Sequence, residues 1–165
     1  MKVVSKQTNS KMCFICGMDN PIGLKAQFYN MEDGSVATIF KYREEHQSFP
    51  FRVHGGLVGT MLDEMGLRAV WAKYGEEVYG VTMTMEIKLR KPAPYNEDLI
   101  GVGKVVSETS RTYEIDTKIM DKNKSVIASG KLVYFKAKPS QIVGDIDPHE
   151  EMCYLINDDV KDIDL

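Results

Sequence analysis

The alternation of apolar and polar positions divides the chain into a few long elements. From Gly55 to about Lys73, Leu57, Val58, Met61, Leu62, Met65, Ala69 and Ala72 recur at three- and four-residue steps and define one helical face. Leu67, Val70 and Trp71 fall elsewhere on the wheel, so this helix is apolar around most of its circumference and expects cover on most sides, with Gly75 placed to end it. Beyond it the period changes to two. Val81, Met83, Met85, Ile87 and Leu89 alternate with Thr82, Thr84, Glu86, Lys88 and Arg90 until Lys91-Pro92-Ala93-Pro94 stops the strand. Three further strands are expected at about 98–108, 112–121 and 125–138, the last two joined by a tight turn at Asp121-Lys122-Asn123-Lys124. Ahead of the helix, 24–29 and 35–42 flank Glu32-Asp33-Gly34 as a hairpin, and 44–54 is expected to be a loop because Phe49-Pro50-Phe51 blocks helix.

Two strands, one long buried helix and four long antiparallel strands make an α+β domain in which a curved antiparallel sheet of about six strands wraps a central helix. Edge strands of that length would stay unpaired in a monomer, so a homodimer or dimer of dimers is expected. The domain should occupy residues 13–143, between an amino-terminal arm (1–12) and an acidic tail (144–165).

That tail holds eight acids against Lys161, a net −7, while the whole chain of 165 residues carries only −3. The remaining body is therefore mildly basic, at +4, yet it has no Lys/Arg run and no basic helix, which argues against nucleic acid and suits a phosphate-bearing small ligand. No apolar stretch approaches the roughly 20 residues of a membrane span and the start of the chain has no signal-peptide core, so no membrane partner and a cytoplasmic location are expected. Three cysteines make no disulfide framework. Cys13 and Cys16 would need two more ligands to hold zinc, and the sequence offers neither a second cysteine pair nor a spaced histidine pair, so they read as small residues shaping a turn, with no metal and no cofactor expected.

The candidate chemistry gathers where loop meets helix. Arg52-Val53-His54-Gly55-Gly56 leaves backbone N–H groups uncovered at the positive end of the helix dipole, a place able to hold a developing oxyanion. Of the two helix acids, Glu64 precedes Arg68 by four residues and reads as a solvated surface pair. Asp63 has no basic partner and shares its stripe with Gly59, Leu67 and Val70. An acid on such a face is costly unless it is used or faces a cleft. Neither a nucleophile elbow nor a phosphate-binding loop is present.

Cys13-Phe-Ile-Cys-Gly-Met-Asp-Asn-Pro-Ile-Gly-Leu24, His54-Gly-Gly followed by an acid nine residues after the histidine, and the strand Met85-Glu-Ile-Lys-Leu-Arg-Lys-Pro-Ala-Pro94 together resemble the PaaI-type hotdog acyl-CoA thioesterases. The resemblance implies the hotdog fold and hydrolysis of a coenzyme A thioester. It implies Asp63 as catalytic acid, either general base or nucleophile, Gly55 as the amide donor to the thioester oxygen, and His54 as a supporting residue. Gln47 or Ser48 matches an active-site amide side chain, and Thr82 matches a hydroxyl near the attacking water, supplied by the partner chain. From the residues themselves, Gly56 lets the main chain approach a ligand, and Lys88, Arg90, Lys91 and Arg111 are candidates for the coenzyme A phosphates. The alternative is a non-enzymatic acyl-CoA-binding or sensing module on the same fold; a hydratase is the weaker rival.

Overall fold

The computed structural model describes residues 1–165, apart from the side chains of Pro148 and His149. A seven-stranded antiparallel sheet runs in the order β1 (Val3–Lys6), β2 (Gln27–Met31), β3 (Val36–Lys41), β7 (Asp98–Glu108), β8 (Thr112–Met120), β9 (Val126–Ala137), β6 (Tyr79–Leu89). A small hairpin, β4 (Gln47–Phe49) with β5 (Arg52–Val53), precedes the helix α1 (Gly55–Tyr74), and two short helices, α2 (Pro139–Val143) and α3 (Pro148–Glu151), follow the sheet. This is a hotdog fold.

Turn chemistry sets the hairpins. Gly34 takes φ 77° between β2 and β3, and the Asp33 carboxylate accepts the Ser35 N–H at 3.0 Å. In the β8–β9 turn, Asp121 Oδ1 accepts the N–H groups of Asn123 and Ser125, each at 2.9 Å.

As its wheel requires, α1 is buried on most sides. It packs on β7, β8, β9, β6 and β3, and Met61, Leu62, Met65, Ala69 and Val70 meet Phe28, Val36, Leu99, Ile115, Ile119 and Leu132 in one core. Gly75, at φ 96°, ends the helix. Among the described residues no helix is long and apolar enough to cross a membrane.

Four features go beyond what the sequence predicts. The sheet has seven strands because the polar arm is itself a strand: Val3–Lys6 pairs β2. The segment expected as plain loop holds a 3-10 turn, Glu44–His46, and the β4–β5 hairpin. Buried His46 fixes that turn, accepting the Arg43 N–H on Nδ1 at 2.9 Å while Nε2 meets Ile22 O at 2.9 Å. The acidic tail folds back on the arm. Ile163 is buried beside Tyr29, Met31 and Ala37, Lys6 pairs Asp158 at 2.8 Å, and Met1 and Ile163 exchange backbone bonds.

The fourth feature bears on the site. The alternation read along β6 is broken by a bulge between Thr82 and Thr84. Ahead of it the residues paired with β9 turn Thr82 toward α1, while beyond it Ile87 and Leu89 lie against Gly59 and Gly55 of the same helix. One inserted residue thus lets a hydroxyl from the polar phase and two apolar side chains from the other phase share the inner face.

Candidate active site

Thr82 on β6 and Tyr134 on β9 are cross-strand partners, and both reach Asp63, in the middle of α1. The Thr82 hydroxyl donates to Asp63 Oδ1 at 2.7 Å; the Tyr134 hydroxyl lies 2.8 Å from the same oxygen and 2.5 Å from the Asp63 carbonyl. Two donors on Oδ1 fix the carboxylate rotamer and leave Oδ2 the oxygen outside these bonds. Burial pushes the Tyr134 phenol well above its ordinary range, and the Asp63 charge adds to this, so Tyr134 stays protonated as a donor. Asp63 itself is half-buried, neither sealed in the core nor free in solvent.

Nothing local to Tyr134 in the sequence marks it as a site residue. Its signal lay in Gly66, three residues after Asp63 on the same stripe: a Cβ there would sit 2.6 Å from Tyr134 Cε2, so the glycine is the space the ring occupies. The expectation that Thr82 reaches the acid from a partner chain is corrected, because the bulge aims it at Asp63 of its own chain.

At the start of α1, His54 is the N-cap, its Nδ1 accepting the Gly56 N–H at 3.0 Å. That bond occupies Gly56, and among the described residues the Gly55 N–H makes no such bond, which leaves it as the amide donor at the helix start. Leu89 Cδ1 lies 2.9 Å from where a Gly55 Cβ would be, so the main chain is closely covered here. Gln47 pairs with Val53 in the β4–β5 hairpin, adjacent to His54, and both Gln47 and Ser48 are exposed. Phe51 holds φ 65° in the tight turn of that hairpin and stacks on Tyr95.

Asp63 and Gly55 do not converge within one chain. Eight residues of α-helix separate them, about 12 Å along the axis, far more than one carbonyl group spans. The basic candidates are also divided. Lys88 and Arg90 line a groove on the outer face of the sheet with Lys104, Lys118 and Lys131, and Lys91 meets Ser125 near the same end of β6. Arg111 lies at the opposite end, where Thr112 pairs Phe135 beside Val81. Glu64 is corrected too: its pair with Arg68 exists, at 2.8 Å, but Arg68 is only 1% exposed.

The model of the thioesterase superfamily matches residues 52–128, from the hairpin before α1 into β9. The sequence matches none of the curated proteins. Among solved structures, a thioesterase superfamily protein aligns with TM-score 0.68 and 24% identity, over 74% of this chain and 59% of its own. This chain therefore spans less than two thirds of that protein's length. A hypothetical thioesterase from Streptococcus pneumoniae TIGR4, solved with coenzyme A, aligns with TM-score 0.62 and 20% identity over 68% of this chain and 86% of its own. The PaaI protein of the E. coli phenylacetic acid degradation operon aligns with TM-score 0.62 and 15% identity over 69% and 80%. Residues 52–128 thus match the thioesterase superfamily model, and the sheet and central helix share the fold of these solved structures.

Proposed function

We propose that the protein is an acyl-CoA thioesterase whose active site is completed between two copies of the chain. The observation that carries this reading is the Asp63 carboxylate, half-buried on the central helix and oriented through one oxygen by Thr82 and Tyr134. An acid so held has its second oxygen ready for a water proton or for direct attack.

The exposed edge of the sheet supports the cross-chain arrangement. β6 is an edge strand whose Val81, Met83, Met85 and Leu89 are 40–56% exposed, a surface that a second β6 would cover. Antiparallel pairing of two β6 strands sets the helix start of one copy toward the Asp63 end of the other. It likewise brings Arg111 of one chain toward the Arg90 and Lys91 end of the other, so the divided basic residues would flank a single phosphate-bearing chain. A coenzyme A ligand in one structural neighbour supports that substrate class.

Hydrolysis then proceeds by charge. Water, deprotonated by Asp63, or the Asp63 carboxylate itself attacks the thioester carbon. The oxyanion that forms is stabilised by Gly55 N–H and the helix dipole, a donor typically worth about 10²–10³ in rate. The coenzyme A thiolate leaves; when water attacks this frees the acid directly, and when Asp63 attacks a water then hydrolyses the mixed anhydride to free the acid and restore the carboxylate. A panel of acyl-CoA thioesters followed with a thiol reagent tests the reading: thiol release that falls at least about a hundredfold in Asp63→Asn is expected, and tight acyl-CoA binding without release would instead favour the sensing module.

A further inference from the structure

The Cys13–Cys16 pair lies outside the site described above, yet the fold brings a third metal-binding group to it. Glu64, 51 residues along, places Oε2 at 3.7 Å from Cys13 Sγ, and the two sulfurs and a Glu64 oxygen all lie within 4.8 Å of one another. Sequence spacing could not show this, since the third group comes from α1. We propose that Cys13, Cys16 and Glu64 form a zinc-binding site that clamps the amino-terminal loop to the central helix. This goes beyond the thioesterase reading and does not depend on it.

The loop has the shape such a site needs. The N–H groups of Ile15 and Cys16 point at Cys13 Sγ, at 3.3 and 3.4 Å, and Gly17 N–H closes the turn on Cys13 O at 2.8 Å. N–H groups aimed at a sulfur favour a thiolate, the form that binds metal. A Cβ on Gly17 would lie 2.3 Å from Cys13 O, so the turn can close this tightly only at glycine. Zinc–sulfur and zinc–oxygen bonds of about 2.3 and 2.0 Å in a tetrahedron require roughly 3.8 Å between sulfurs and 3.5 Å from sulfur to oxygen. The present separations reach that with small side-chain shifts.

Charge agrees with geometry. Two thiolates and Glu64 against buried Arg68 sum to −2, which a divalent cation neutralises. Glu64 is already divided for the role, with Oε1 accepting from Arg68 Nε at 2.8 Å and Oε2 turned to Cys13; an outer partner of this kind orients a ligating carboxylate. Soft thiolates with one carboxylate select zinc over magnesium or calcium. Ser10 Oγ, 3.4 Å from Cys16 Sγ, borders the fourth position, which it or a water would fill.

The test uses the full chain, purified under reducing conditions, with zinc measured by elemental mass spectrometry and cobalt(II) titrated into metal-stripped protein. About one zinc per chain and thiolate-to-cobalt charge-transfer absorption are expected. Both should disappear in Cys16→Ser, and Glu64→Gln should weaken cobalt binding at least about tenfold. Folded, reduced wild-type protein that takes up no cobalt overturns the proposal, and this arm stands even where Cys16→Ser fails to fold. Zinc retained equally in Cys16→Ser, bound elsewhere on the surface, overturns it as well.

Discussion

Thr82 and Tyr134 face each other across β6 and β9 and both reach one carboxylate oxygen of Asp63, Tyr134 dividing its single hydroxyl hydrogen between that oxygen and the Asp63 carbonyl. Their contributions should therefore be separable. Tyr134→Phe keeps the ring and removes one charge-assisted bond, so kcat is expected to fall on the order of tenfold with little change in KM, given about 1.5–3 kcal/mol for a hydrogen bond to a charged group. Thr82→Val should cost a similar factor. In the double variant the loss should exceed the product of the two, because nothing then fixes the carboxylate rotamer. Steady-state kinetics decide; full turnover in Tyr134→Phe would remove the residue from the site.

Gly66→Ala should damage the same pair from behind. The new methyl would lie 2.6 Å from Tyr134 Cε2 and 2.9 Å from its hydroxyl oxygen. Crowding of this kind costs about 1–3 kcal/mol, against a gain of about 0.5–1 kcal/mol for alanine over glycine within a helix. A lower Tm together with a kcat near that of Tyr134→Phe is expected. A stabilised protein of normal turnover would mean that the ring is free to move aside.

How much of this was legible in the sequence depends on the range of the interaction. The Gly55–Tyr74 helix and the four strands after it were readable because each carries its own period, and Gly34 and Gly75 mark ends that need positive φ. Asp63 stood out as an acid on an apolar stripe. The β6 bulge was invisible, since its sequence alternates without a break while the register shift exists only against β9. Tyr134 and the Cys13–Glu64 contact were hidden for the same reason: each joins segments about 50 or more residues apart, and no local pattern encodes which partner packing will choose. The arm and tail show no period because their apolar residues are few; pairing, rather than periodicity, orders them.

Arg68 shows what such packing demands. Its guanidinium lies between Phe28 and Trp71, 4.6 Å from each ring centre, donates to Glu64 and to Thr8 O, and is fully buried. Lysine cannot reproduce the planar stack or the divided hydrogen bonds. Arg68→Lys is therefore expected to cost on the order of 3 kcal/mol, as for a broken buried pair, measured by denaturant unfolding. A loss under about 0.5 kcal/mol, typical of surface changes, would show that the arm and helix are held by other contacts.

The tail should come loose in acid. Burial acts to raise Asp158, but hydrogen bonds from Lys6, the Val160 N–H and Tyr29, with the Lys6 charge, outweigh it and hold the carboxyl below its usual value. A depressed folded-state pKa contributes stability above the unfolded value, about 3.9, and that contribution is lost as pH falls through the folded one. Hydrogen exchange at Val160 and Ile163 should quicken below about pH 4, and Asp158→Asn should show the faster exchange already at neutral pH. Equal protection in the variant would assign the docking to Ile163 alone.

The cross-chain site makes the most demanding prediction. Asp63→Asn removes the proposed catalytic carboxylate, and Gly55→Pro removes the proposed amide donor while proline suits the first helical position and His54, at φ −62° and ψ 129°, is already extended enough to precede it. Each variant alone should be nearly inactive. If the two groups act from different chains, co-refolding equal amounts yields heterodimers in which one of two sites pairs an intact Gly55 with an intact Asp63. Half of the dimers then carry half of their sites, so about a quarter of wild-type activity should return. If both groups served the same thioester within one chain, no mixture could restore turnover, and the 12 Å helical separation of about two turns would have to be bridged in some other way.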